Sequence, residues 1–539
     1  MTIRQPSSAL QLVPAADPAG SPEPAPAPDA AQASHDSERP EALVAFMQTQ
    51  WKPAPDRLPA RLKRADAFAA RRRALSARFP GETLVIPTGH EKLRANDTYY
   101  RFRPGSDFFY LTGNVEPDCV LVLEPTGPRG HRDVLFVEPN PGRSDATFYT
   151  DRKKGELWVG PRLGVPQSKA RFGVDDCRGL AELDTALGAL RSPLAKWRAL
   201  RGHSDRIDQL LPRPEPRDDE RAQAPDAKLD QKPDHKPDQK SDPKPKPRPT
   251  PDQELAQALA EMRLIKDAHE IAELQAVVDI TARGFDDVVR ALADGGTERN
   301  IEGIFHLRAR VEGNDLGYGT IAACGAHACI LHWHRNDGPL VPGELLLVDA
   351  GVEGHSLYTA DITRTLPITG RFTPEQREIY DLVRAAQKAA IAAVRPGIDF
   401  MEPNRVAMQI LAEGLERLGI LASASDALAK DQQLYRRYTL HNISHMLGLD
   451  VHDCARARDE DYKHGKLKAG MVLTVEPGLY FQTDDLTVPA RYRGIGVRLE
   501  DDVLVTARGS KVLSAAIPVD ADDVERWMAR LWKTGKRRG

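Results

Sequence analysis

The stretch LLLVDAGVEGHSLYTADITRTLP, residues 345–367, runs an apolar strand into Asp349 and begins a second strand at Asp361. Two carboxylates therefore end two adjacent strands. If the residues between them form a connection, cross-strand pairing brings both side chains onto one face, a few ångströms apart. Like charges that close need a cation between them. Taken alone, the pair reads equally well as two ordinary strand-end aspartates, because Asp is common at turns.

Three further segments carry related chemistry. In GMVLTVEPGLYF (470–481), Glu476 closes a β-run just before the Pro477–Gly478 turn, and by itself it reads as an exposed turn residue. In RGIGVRLEDDVLV (493–505), strand alternation puts Ile495, Val497 and Leu499 on one face and Gly496, Arg498 and Glu500 on the other. The apolar surroundings make that second face the lining of a cavity, where burying Glu500 demands a cation. A salt bridge to Arg498 is the rival reading. In LHNISHMLGLDVHD (440–453), His441, His445 and His452 lie close together, and CILHWHRND (329–337) adds His332 and His334. A lone histidine is more often a satisfied core or surface residue, but this density favours a catalytic or metal site.

Asp349, Asp361, His445, Glu476 and Glu500 together offer four carboxylates and one imidazole, an oxygen-rich set that suits Mn(II). Four negative charges are enough for two divalent ions, and a two-metal site both activates water near neutral pH and polarises a carbonyl. Hydrolysis is the reaction this implies. No rival motif competes. The His269–Glu270 pair is followed by Glu273 where an HExxH helix needs histidine, and there is neither a GxSxG elbow nor a P-loop.

The surrounding chain of 539 residues is too long for one core and is expected to form two domains with additional segments. Residues 1–45 are rich in Ala, Pro and Ser and are expected to be a disordered tail. Residues 57–212 mix a basic amphipathic helix over 57–79 with β-type runs TLVIP, DFFYLTG, CVLVLEP and DVLFVEP, which predicts a small α/β domain. Residues 213–252 repeat lysine every four positions, but the interleaved prolines exclude a helix and predict a disordered linker. Residues 253–520 open on a long helical pattern with a break expected near its centre. They continue as alternating strands and helices, a second, α+β domain, and 521–539 form a C-terminal helix and basic tail. With 75 Lys and Arg against 78 Asp and Glu, a net charge of -3 gives no reason to expect nucleic acid or a membrane surface as partner. Five scattered cysteines, the absence of a signal-like start and the absence of a long apolar run point to a cytoplasmic protein.

As an ordered set, ILHW, VDAG followed by ADITRT, SHMLGLDVHD, TVEPGLY and RGIGVRLEDD resemble the pita-bread metallopeptidases, and specifically the aminopeptidase P family. The resemblance runs from about residue 57 to 520, outside the linker. NDTYYRFRPGSDFFYLTG (96–113) also resembles the N-terminal domain of that family and of prolidase, which the methionine aminopeptidases lack. The resemblance implies an α+β fold in which a C-terminal pita-bread domain follows a smaller α/β domain. It makes Asp349, Asp361, His445, Glu476 and Glu500 the ligands of two divalent metals, with Asp361 and Glu500 bridging, and places His332, His441, His452 and Arg498 around the substrate. It further implies attack by a metal-bridging hydroxide on the carbonyl before proline in peptides with proline second, Glu476 shuttling the proton and His332 or His452 stabilising the oxyanion. Dimers or tetramers are implied as well. Prolidase, which takes only dipeptides, is the nearest alternative. A non-catalytic peptide-binding module or a creatine-type amidinohydrolase of the same fold is disfavoured, because all five ligand positions are retained.

Overall fold

The computed structural model describes residues 39–52, 58–128, 130–192, 194–211 and 248–535. The contacts divide the chain into two compact units, one of Met1–Ala54, Glu91–Arg103 and Pro141–Arg162, the other of Pro55–His90, Pro104–Asn140 and Leu163–Gly539. Most of the tail expected over 1–45, most of the linker expected over 213–252 and the final basic tail lie outside the described residues. Where the structure does describe those stretches, both hold helix. Glu41–Met47 is helical, since EALVAFM has none of the proline that precedes it, and Pro251–Arg263 starts at Thr250, whose hydroxyl caps the Gln253 amide. In the first unit that helix is joined by a short hairpin of Leu93–Ala95 with Thr98–Tyr99, and Trp51 meets Phe148 edge-on at 5.2 Å.

The second unit opens on a mixed sheet of β1 (Thr83–Pro87), β2 (Val120–Gly127), β3 (Gly130–Val137), β4 (Asp176–Gly179) and β5 (Trp197–Ala199), in the order β4-β3-β2-β1-β5. Val120, Leu121, Val122 and Leu123 are all buried, so both sheet faces are covered and the strand reads as a continuous apolar run. The helix expected over 57–79 is shorter, Ala65–Arg78. DFFYLTG is not a strand. It forms the helix Ser106–Thr112, closed by Gly113 at φ +67°, whose amide bonds the Phe109 carbonyl, and it buries Phe108 and Leu111 on one side.

The C-terminal part of this unit twice repeats the order helix pair, then antiparallel strands. The first pair is α1 (Ala268–Leu292) and α2 (Glu298–Glu312). The break expected near the middle of the long helical pattern falls earlier, at 264–267, because Asp267 accepts the His269 and Glu270 amides while Glu270 reaches back to the Asp267 amide. There follow β6 (Ile321–Cys324), β7 (Leu345–Ala350) and β8 (Ile362–Pro367), antiparallel in the order β8-β7-β6, with Asp349 opposite Thr363 and Ala350 opposite Ile362. Gly351 sits where the turn after β7 passes β8. A Cβ there would lie 1.7 Å from the Ala360 carbonyl oxygen, so only glycine lets the two aspartate-bearing segments come this close.

The second pair is α3 (Pro374–Ala393) and α4 (Glu402–Arg417), followed by β9 (Val472–Val475), β10 (Gly478–Tyr480), β11 (Gly496–Arg498) and β12 (Asp501–Val505). The single strand expected over 495–506 is split at Leu499–Glu500, because β11 pairs with β10 while β12 pairs with β9. At the kink, the Leu499 amide bonds the Pro477 carbonyl and the Glu500 amide crosses to the Thr363 carbonyl at 3.1 Å. Helix Ala521–Gly535 docks on α1 through Trp527 Nε1, which donates to Asp286 Oδ1 at 2.7 Å. All five cysteines are free and buried, and no described helix is long and apolar enough to cross a membrane.

Arg364 ties these strands together. Fully buried on β8, its guanidinium donates to the Glu500 carbonyl at 2.6 Å, to Asp501 Oδ1 at 2.7 Å and to the Ile517 carbonyl at 3.0 Å. Breaking a buried ion pair from one side leaves the other charge uncompensated. Arg364→Ala should therefore destabilise the fold by about 3–5 kcal/mol, read as a lower urea midpoint. An unchanged midpoint would mean that Ser514 and Gln387, which also bond Asp501, suffice without it.

Candidate active site

The acids, histidines and arginine singled out in the sequence all line one cavity of about 560 Å³: Asp349, Asp361, His445, Glu476, Glu500, His332, His334, His441, His452 and Arg498. Asp349 comes from the end of β7 and Asp361 from the start of β8. Glu476 lies in the turn between β9 and β10, Arg498 ends β11, and Glu500 sits at the kink. The donor atoms of Asp361, His445 and Glu500 lie within 4.8 Å of one another. Glu476 Oε1 is 3.5 Å from His445 Nε2, and Asp361 Oδ2 is 3.3 Å from the same nitrogen. Asp349 joins through Tyr318, whose hydroxyl is 2.6 Å from Asp349 Oδ1 and 2.5 Å from Asp361 Oδ1.

The rival pairing of Arg498 with Glu500 does not occur. Arg498 donates to Asp349 Oδ2 at 2.6 Å and to the Tyr480 hydroxyl at 3.1 Å. Glu500 Oε2 instead accepts from the Thr363 hydroxyl at 2.7 Å. Burial drives His441 down to about 4, with Arg498 adding to it, so His441 is neutral. Its two ring nitrogens are occupied within the protein, 3.0 Å from the Asn442 carbonyl and 2.8 Å from the Tyr480 hydroxyl. His452 crosses His445 edge-on, with ring centres 4.5 Å apart, and burial together with the His445 charge lowers it as well.

The donor set fits divalent metal. Glu500 Oε1 is buried with no hydrogen-bond donor, an arrangement that is costly unless a cation completes it. Burial and the neighbouring carboxylates raise Asp361 and push Glu500 well above the usual carboxylate range, and burial lifts Glu476 to about 7. At His445 the hydrogen bond to Asp361 and the charges of Asp361 and Glu476 outweigh burial and raise the imidazole to about 9. The cavity thus draws positive charge to its floor.

Tyr318, Thr363, Tyr480 and Asp502 belong to the site and were not singled out in the sequence. Thr363 alone had a signal available: it pairs with Asp349 in the β7–β8 register, and its side chain meets Glu500.

Comparison with known proteins extends this geometry. Residues 272–507 match the model of metallopeptidase family M24, and 68–196 match the aminopeptidase P N-terminal domain. Xaa-Pro aminopeptidase 1 of Streptomyces coelicolor is 48% identical over 474 residues, 87% of this chain and 88% of that one. The chain belongs to the aminopeptidase P family. Xaa-Pro aminopeptidase of Escherichia coli is 34% identical over 467 residues, covering 86% of this chain and 97% of its own. Among solved structures, the low-pH form of E. coli aminopeptidase P superposes with a TM-score of 0.73 at 32% identity, covering 87% of this chain and 99% of that one. Proline aminopeptidase P II of Yersinia pestis superposes at 0.72 with 33% identity, covering 86% and 99%. The fold is accordingly a C-terminal pita-bread domain preceded by the aminopeptidase P N-terminal domain, as the sequence led one to expect.

Tyr318 holds the two aspartates in one orientation, and groups that orient ligands typically affect metal affinity or activity by about 10–100-fold. Tyr318→Phe should weaken metal binding by about that factor while leaving the melting temperature of the chelated protein within a few degrees. Titration of metal into the chelated variant measures it, and wild-type affinity would remove Tyr318 from the site.

Proposed function

We infer that this chain is an Xaa-Pro aminopeptidase that removes the first residue of peptides carrying proline second. The observation that carries the reading is the convergence of four carboxylates and one imidazole on the floor of a cavity walled by further histidines, in a chain of this family. Asp349, Asp361, His445, Glu476 and Glu500 are the residues that would hold metal. Four carboxylates call for two divalent ions, and the oxygen-rich set favours Mn(II). When bound, such ions supply Lewis-acid polarisation of the scissile carbonyl and lower the pKa of water.

The rest of the chemistry falls to the chain. Glu476 takes up a proton at its carboxylate and returns it to the departing proline nitrogen. His332 and His452 donate ring N–H groups towards the oxygen on which charge develops, where a donor contributes most to rate. Arg498 holds Asp349 from the side away from Asp361 and aligns Tyr480, which in turn keeps His441 in one tautomer. A free N-terminal amine would offer its lone pair to ions held by these residues, which accounts for an exopeptidase. The preference for proline rests on the family alone. Five buried, unpaired thiols support a reducing, cytoplasmic setting, and the family resemblance implies a dimer or tetramer.

The test is turnover of Xaa-Pro-Xaa, Xaa-Pro and Xaa-Ala-Xaa peptides by protein of measured metal content and mass in solution. The tripeptide with proline second should be cleaved and Asp361→Asn should lose both metal and turnover. Cleavage of the dipeptide alone would make the enzyme a prolidase. Equal cleavage without proline, or full activity of Asp361→Asn, would reject the reading.

A further inference from the structure

We propose that Glu298 is a positioning residue for His332, an assignment that rests on the reading of His332 as a donor in the cleavage reaction. Glu298 is the first residue of α2, a place where a glutamate usually faces water, yet it is fully buried. Both of its oxygens are committed to the loop that carries His332. Oε1 accepts from the Cys324 amide at 2.7 Å and lies 2.7 Å from His327 Nδ1, while Oε2 accepts from Trp333 Nε1 at 2.9 Å and the Gly338 amide at 2.7 Å. The Glu298 amide completes the clasp by donating to the Gly338 carbonyl at 2.9 Å. One side chain therefore holds the loop at its entry, its middle and its exit.

The loop has little structure of its own beyond the single turn of 3-10 helix at Gly325–Cys329. Its remaining supports come from outside it, Gln482 donating to the Cys329 carbonyl at 2.8 Å and Arg299 to the Arg335 carbonyl at 2.9 Å. Asn336 donates to the Thr320 carbonyl at 2.9 Å and accepts the Ala322 amide at 3.0 Å, and Ala328 rests against Gly496, where a Cβ would come within 2.4 Å of its carbonyl. Between those points, Trp333 is the anchor. Its ring is pinned inward by Glu298 and stacked on His327 with centres 3.9 Å apart. The His334 amide bonds the His332 carbonyl at 3.0 Å and closes a tight turn on Trp333, so the ring held inward fixes the turn whose two flanking residues, His332 and His334, face the cavity. Both histidines line it, with their rings stacked 5.9 Å apart.

Glu298→Gln keeps the shape but sets an NH2 group against two of the donors. For an Xaa-Pro-Xaa peptide we expect kcat to fall by about tenfold or more, as displacement of a reacting group does, with KM, metal content and melting temperature close to wild type. Placed on His332→Ala, which itself lowers kcat, Glu298→Gln should cost less than about twofold more, because the two changes remove one function. His327→Phe keeps the stack on Trp333 and removes one donor from a half-exposed side chain; it should show a smaller loss, masked in the same way, and it serves if Glu298→Gln does not fold. Additive losses in the double variants, or wild-type kcat in both single variants while His332→Ala is impaired, would overturn the role of Glu298. Wild-type kcat in His332→Ala would instead remove His332 from the reaction, and Glu298 with it.

Discussion

Asp349, Asp361, Glu476 and Glu500 share one buried cavity, and no apolar fold tolerates four such charges without a partner. Much of the catalytic half can be understood as the means of holding them there. The strands end or kink where the carboxylates stand, so that short side chains on rigid backbone meet without long rotamers to order. Arg498 neutralises the outer aspartate, and the hydroxyls of Tyr318 and Thr363 occupy oxygens that would otherwise repel one another. Beneath them Arg364 ties β8 to the Glu500 carbonyl and to Asp501, so the strand bearing one acid cannot shift without the other. What these groups leave uncompensated, notably Glu500 Oε1, marks where a cation belongs.

The acids were legible in the sequence because they stand at or within apolar strand runs, where an ionisable group is expensive enough to need a reason, and the histidines because of their density. Pairing of β7 with β8 followed from their being neighbouring strands joined by a short connection. The hydroxyl of Tyr318 had no such mark: a tyrosine between glycines reads as a turn, and only the fold shows that it reaches across to both aspartates. Glu298 was hidden by its place at a helix start, where an acid is expected for the helix dipole alone. Local misreadings have local causes. DFFYLTG has the composition of a strand but no strand partner, and a glycine at its end closes it as a helix. The stretch 495–506 has the composition of one strand, yet its two halves pair with different strands, a non-local fact that composition does not encode.

The N-terminal sheet is joined to the cavity by charge as well as by packing. Arg263 donates to Asp107 at 2.8 Å and lies 3.3 Å from Asp453, and Lys266 reaches the same Asp453 at 3.1 Å. Asp453 follows His452 directly, so the short helix that sequence reading mistook for a strand belongs to the scaffold behind one of the cavity histidines. Despite burial, the Lys266 and Arg263 charges hold Asp453 below the usual carboxylate range.

The placement of the thiols bears on which ions the cavity can recruit. Burial pushes Cys177, Cys324 and Cys329 up to about 12 and Cys119 and Cys454 higher still, and no cysteine is among the residues that line the cavity. Soft ions such as copper(I) prefer sulfur, and the sulfur that lines the cavity is the Met401 thioether, since every thiol is packed elsewhere in the fold. The same packing keeps peroxide from the thiol sulfur atoms, because it is the thiolate that reacts. The cavity thus offers an incoming ion carboxylate and imidazole rather than thiolate, and an oxidant that enters it meets a thioether but no thiol.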